Sequence, residues 1–238
     1  MKLLALDTTT DISSIALADE NGLIAEYNFA HRQNLSVRLM PDIVALLKDC
    51  GMEVKDLEGI GVSLGPGSFT GLRIGVVTAK TLAQTLGISI AGIVTLDLIA
   101  RQFDYLPMPT ICPIIKVRKG EVYYAFFRNG GRERVSEYEA QTVERLIEDA
   151  LKLDAPHIIF CGDALKDNLA ALQAGLGDRA IPAADWLAYP KASILAKLAL
   201  EKIAAGNADD LMTMSPFYIR RSAPEMRLES QGKDGVAE

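Results

Sequence analysis

Apolar and polar residues follow two periods along this chain. A short apolar run, Leu3–Leu6, precedes alternating patterns over Ile12–Ala18 and Leu23–Phe29, with Asn21-Gly22 as the turn between the last two. Three strands joined by tight turns are expected. From Leu35 to Cys50 the apolar residues recur at helical spacing, and Gly51 supplies a stop. A strand at Gly59–Leu64, a glycine-rich loop at Gly65–Ser68 and a helix over Phe69–Leu86, ended by Gly87, come next. Ile88–Val94 reads as a strand and Leu96–Phe103 as a short helix.

After Pro107 and Pro109 the order restarts. Ile111–Val117, Glu121–Phe127 and Arg132–Tyr138 read as strands, with Asn129-Gly130 as a second hairpin turn. Thr142–Leu151 is helical, His157–Cys161 a strand, and Gly162 opens a turn into a helix over Leu165–Ala174. Asn21-Gly22 thus falls over Asn129-Gly130, and Gly65 over Gly162, the pattern of a degenerate duplication of one α/β unit. Two packed units are expected, 1–105, completed by an amphipathic helix over 193–206, and 106–190. The polar tail, 222–238, is expected to be disordered.

The two N-terminal helices carry more apolar surface than one core needs. On Phe69–Leu86, Leu72, Gly75, Val76, Ala79, Leu82, Ala83 and Leu86 form a core stripe, and Gly71, Gly75, Ala79 and Ala83 form a small-residue ridge that admits a close neighbour. Ile74, Val77, Thr78, Thr81 and Thr85 lie opposite. On Leu35–Cys50, Val37, Met40, Val44 and Leu47 widen the stripe of Leu35, Leu39, Ile43 and Leu46 to about 200° of arc, where a core-facing helix needs about 100°. The surplus suits either further packing within the chain or a protein interface, for which Val37, Met40, Val44, Ile74, Val77 and Thr81 are the contact positions.

Composition narrows the possibilities. The 238 residues carry 25 basic and 31 acidic side chains, a net charge of −6, which disfavours nucleic-acid binding by this chain alone. Cys50, Cys112 and Cys161 are odd in number and widely spaced, so a disulfide framework or CxxC metal site is not expected and a cytoplasmic setting is. The apolar run before Asp7 is too short for a signal peptide, and no stretch suits a membrane span. His31 and His157 stand far apart, the first in a loop and the second opening an apolar strand, so no nucleophile–base pair or metal site is expected.

Two turns could carry chemistry. Asp7-Thr8-Thr9-Thr10 places a carboxylate and three hydroxyls after a buried strand, a set that can hold Mg²⁺ through water and a phosphate through hydroxyls. The same residues can also serve only their own turn. In Gly65-Pro66-Gly67-Ser68-Phe69-Thr70-Gly71, Gly65 and Gly67 permit a tight turn and Ser68 suits the N-cap. Free N–H groups at that helix start could receive an anion, but the string is neither GxxxxGK[ST] nor GxGxxG, and a structural turn fits it as well.

Leu3-Leu4-Ala5-Leu6-Asp7-Thr8-Thr9-Thr10, the Gly65–Gly75 loop, Arg118-Lys119-Gly120-Glu121-Val122-Tyr123 and Ser215-Pro216-Phe217-Tyr218-Ile219-Arg220 together resemble the bacterial TsaB (YeaZ) family. The resemblance implies an α/β fold of the ASKHA (actin/Hsp70-like) type, built from two ribonuclease-H-like subdomains. It implies a cytoplasmic, non-catalytic scaffold for forming N6-threonylcarbamoyladenosine in tRNA, binding and supporting the transferase TsaD. TsaE joins the larger complex, tRNA contacts occur only within it, and the chain also pairs with itself as a homodimer. No cofactor is required, though a nucleotide at the interface with TsaD is compatible, and Asp7, Thr8 and Thr9 would be a vestigial nucleotide site. TsaD's metal-binding HxxxH is replaced here by Thr95-Leu96-Asp97-Leu98-Ile99, and a family Asp before the Arg-Gly-Glu hairpin is replaced by Lys116. The alternative is an ASKHA-type ATPase or phosphotransferase acting through Asp7 and the Thr8–Thr10 turn.

Overall fold

A computed structural model describes residues 1–30, 34–106, 108–118 and 120–219. His31, Lys119, Arg220 and the expected tail at 222–238 lie outside the described residues. Strands β1 (Leu3–Asp7), β2 (Ile12–Asp19) and β3 (Gly22–Ala30) lead into helix α1 (Leu35–Asp49). Strand β4 (Gly59–Ser63), helix α2 (Phe69–Leu86) and strand β5 (Ser89–Ile93) follow. The sheet order is β3-β2-β1-β4-β5; β1 runs antiparallel to β2 and parallel to β4. Central β1 and β4 are covered on both faces, which is why they read as unbroken apolar or small-residue runs.

Helix α3 (Thr95–Ala100) and a 3₁₀ turn (Arg101–Phe103) lead to the second half. It comprises β6 (Thr110–Arg118), β7 (Glu121–Tyr124), β8 (Phe127–Arg128), β9 (Glu133–Arg134), β10 (Glu139–Thr142), α4 (Val143–Lys152), β11 (Ile158–Cys161), α5 (Leu165–Leu176) and β12 (Ala180–Pro182). Its main path, β10-β7-β6-β11-β12, repeats the first sheet position for position, with the same antiparallel and parallel pairings. Gly65 and Gly162 occupy equivalent strand-to-helix turns with φ of +101° and +105°. A Cβ at Gly162 would stand 2.2 Å from the Ile114 carbonyl oxygen, so that turn requires glycine.

The third strand of the second half departs from expectation. The strand expected over Glu121–Phe127 ends at Tyr124, and Asn129-Gly130 lies in a small added hairpin, β8–β9. The strand that pairs with β7 is β10, not Arg132–Tyr138. A polar turn sequence marks a reversal but not which strand pairs next, and the hairpin it marks here is an insertion ahead of β10. Strand β12, three residues long and edge-placed, gave no pattern of its own.

Among the described residues, four apolar clusters hold the fold. One lies between the first sheet and α1 and α2, and another between that sheet's opposite face and the last helix, α6 (Ala192–Ala204). A Cβ at Gly61 would meet the Ala199 methyl at 2.7 Å, so glycine in β4 and alanines in α6 set their close approach. A third cluster fills the second half between its sheet and α4 and α5. The fourth joins the halves through Leu96, Ile99 and Phe103 against Ile111, Ile115 and Phe127.

Candidate functional site

Asp7 ends β1 and, like the three threonines after it, is buried. The Thr9 N–H and hydroxyl donate to the Asp7 carboxylate at 3.2 and 3.1 Å. The Thr8 hydroxyl donates to the Gly71 carbonyl at 2.8 Å, and that of Thr10 to the Ile12 carbonyl at 2.9 Å. Burial pushes the Asp7 carboxyl up to about 6, against the opposing pull of the Thr9 donors.

The lid over this turn is the start of α2. Ser68 caps the helix, its hydroxyl accepting from the Gly71 N–H, while its own N–H donates to the Thr9 carbonyl at 2.7 Å. A Cβ at Gly71 would stand 2.1 Å from the Thr8 carbonyl oxygen, and one at Gly75 2.2 Å from the Thr8 hydroxyl. Of the small-residue ridge on α2, Gly71 and Gly75 therefore abut the threonine turn, while Ala79 and Ala83 belong to the first core. In the loop of Gly65, Gly67, Ser68 and Gly71, Gly67 abuts Thr9 and Gly71 abuts Thr8, whereas Gly65 packs against Leu72 and the Phe217 carbonyl.

On the outer side, α1 and α2 lie side by side. Val37, Val44 and Val77 are 69%, 49% and 62% exposed, and Met40 and Thr81 are exposed too. Ile74 is half-buried against the first core. On each helix these positions recur at i, i+3 and i+7, one stripe apiece. Leu47, expected among the surplus, is buried because the chain turns back after α1 and packs Met52 and Val54 over it.

Sequence reasoning missed the rim of this face. Phe69 at the start of α2 is exposed, has the Arg73 guanidinium 3.8 Å from its ring centre, and faces Tyr218 at 5.8 Å. The available signal was Phe69 itself, an aromatic residue on the first turn of a helix where a polar one would serve. Beside Tyr218, the Phe217 N–H donates to the Leu64 carbonyl at 2.7 Å and the Phe217 ring meets Tyr138 edge-on. Lys116 pairs with Asp167 at 3.0 Å, which raises the pKa of its ammonium group, and its backbone N–H donates to Asp163. Among the described residues no helix is long and apolar enough to cross a membrane, and no three His, Cys, Asp or Glu side chains gather as a metal-ligating group.

Comparison with known proteins agrees with this frame. The family described as "TsaD: tRNA N6-adenosine threonylcarbamoyltransferase" matches residues 26–227. The tRNA threonylcarbamoyladenosine biosynthesis protein TsaB of Bacillus subtilis is 37% identical over 237 residues, covering 97% of this chain and 100% of that one. The solved structure of YeaZ from Pseudomonas aeruginosa superposes with a TM-score of 0.78 at 24% identity, covering 92% of this chain and 99% of that one. An inorganic polyphosphate/ATP-glucomannokinase from Arthrobacter sp. strain KM reaches 0.50 at 12% identity, covering 86% and 99%, a likeness of ASKHA fold alone. With identity sustained along the whole length and the duplicated ribonuclease-H-like topology beneath it, the chain belongs to the TsaB (YeaZ) family.

Proposed function

We propose that this chain acts in the formation of N6-threonylcarbamoyladenosine in tRNA as a non-catalytic subunit. It docks the outer face of α1 and α2 on a TsaD-type transferase and, without that partner, on a second copy of itself. The observation that carries this is the pair of exposed stripes, Val37–Met40–Val44 and Val77–Thr81, which lie together on adjacent helices. The committed hydroxyls of Thr8, Thr9 and Thr10 support the non-catalytic half of the reading, since none is left to hold a phosphate. Transfer chemistry then belongs to the partner, TsaE joins the larger assembly, and this chain needs no cofactor of its own.

Gel filtration and titration calorimetry with a purified TsaD-type transferase test this. Val44→Arg places a charge in what would be a desolvated interface and is expected to weaken association at least about tenfold, or about 1.4 kcal/mol. Association as tight as wild type would place the interface elsewhere. Metal-dependent ATP hydrolysis by the purified chain, abolished in Asp7→Ala, would overturn the non-catalytic reading.

A further inference from the structure

A cavity of about 210 Å³ lies on another part of the molecule, between α3 and α6 of the first half and the β8–β9 hairpin of the second. Arg101, Arg132 and Arg134 line it, with Asp97 the single carboxylate among its walls. Three guanidiniums from two segments far apart in sequence converge in a chain of net charge −6. Like charges brought together this way repel unless an anion lies between them.

Each guanidinium has a protein carboxylate nearby, but none is held by one in a short charge-assisted hydrogen bond. Arg101 stands 3.6 Å from Glu201, Arg132 3.8 Å from Asp104 and Arg134 3.6 Å from Glu137, all longer than a charge-assisted hydrogen bond. Asp104 is already engaged by Lys197 at 2.6 Å. The Arg101 Nε is buried and has no protein acceptor. Asp97 accepts the Tyr138 hydroxyl on both oxygens at 2.8 Å, and Arg134 is held over the Tyr138 ring at 4.1 Å.

The backbone is shaped to keep the arginines there. Asn129, Gly130 and Gly131 take φ of 52°, 63° and 79° in succession. A Cβ at Gly131 would stand 2.3 Å from the Ala100 carbonyl oxygen, and one at Gly130 2.6 Å from the Asp104 Cα. The hairpin thus sits directly on the end of α3, which fixes Arg132 and Arg134 opposite Arg101.

We propose that this cavity binds a phosphate group through Arg101, Arg132 and Arg134. The guanidinium fork matches phosphate oxygens, and the cavity has room for such a group. Phosphate could come from a small phosphorylated molecule or from an RNA backbone; the chemistry read by the arginines is the same.

The full chain is titrated with inorganic phosphate against sodium chloride at matched ionic strength, followed by calorimetry and thermal melting. Saturable binding and a rise in Tm beyond that in chloride are expected, with affinity reduced at least about tenfold in Arg101→Gln and in Arg132→Gln. Arg132 is largely exposed, so its variant reports on binding even if Arg101→Gln folds poorly. Phosphate acting no more strongly than chloride, or a folded Arg132→Gln binding as wild type, would overturn the site. Competition then identifies the source. Displacement by a short RNA lacking terminal phosphate assigns the backbone, displacement by a nucleoside monophosphate alone assigns a small molecule, and displacement by neither leaves inorganic phosphate as the ligand. None of these variants touches the α1–α2 face, so the outcome is independent of docking.

Discussion

Gly71 illustrates how one missing side chain sets the geometry of the molecule. Alanine there would gain about 1 kcal/mol of helix propensity, yet its Cβ would lie 2.1 Å from the Thr8 carbonyl oxygen. The clash involves backbone on both sides and should dominate, so Gly71→Ala is expected to lose about 1–3 kcal/mol in urea denaturation. A midpoint at or above wild type would mean that the turn can retreat. Asp7 poses an electrostatic question instead. Its carboxyl, raised to about 6 from 3.8, binds a proton more tightly in the folded chain than in the unfolded one. The stability this gives is complete below 3.8 and is lost as pH rises through about 6, so ionised Asp7 weighs against the fold at neutral pH. Asp7→Asn is therefore expected to be more stable than wild type near pH 8 by about 1–3 kcal/mol. That gap should close as pH falls from 6 to 4 in urea melts followed across pH; a gap independent of pH would assign the effect to hydrogen bonding.

Helices α1 and α2 show what an element's own pattern reveals. Wheel geometry identified the buried side of α2 almost residue for residue, because a helix packed on a sheet keeps one stripe inward. It also located the exposed stripe of α1, with the exception of Leu47, whose cover comes from the chain returning beyond the helix. Nothing periodic in α1 could announce that return. Ser68 at the start of α2 should contribute as an N-cap does, so Ser68→Ala is expected to cost about 1 kcal/mol in thermal or urea unfolding. Val77→Arg, on the exposed stripe, is expected to change stability by no more than about 0.5 kcal/mol while reducing self-association in sedimentation experiments. A large stability loss there would show that Val77 serves the core.

At the scale of the whole molecule, the segment from Met214 to Ile219 ties the halves together. Lys80 donates to the Met214 carbonyl at 2.8 Å, Phe217 bonds Leu64 and meets Tyr138, and Ile219 reaches the cluster that joins the halves. Phe217→Ala is expected to cost about 1–3 kcal/mol and to speed amide exchange both at 64–68 and around Tyr138. Exchange left unchanged at either end would show that the Leu96–Phe103 contact holds the halves unaided.

The sequence by itself determined the elements and their duplication. Period-2 and helical patterns, turn glycines and the paired Gly65 and Gly162 follow from local backbone preference and one-sided burial, which neighbouring residues encode. Tertiary structure decided what lies far apart in the chain. It pressed Gly71 and Gly75 onto Thr8 and turned the hydroxyls of Thr8, Thr9 and Thr10 to acceptors within the chain. It paired β10 rather than Arg132–Tyr138 with β7, and it gathered Arg101, Arg132 and Arg134 around one cavity. These outcomes depend on contacts between segments from about 15 to more than 60 residues apart, which carry no period and are fixed only when the sheets close.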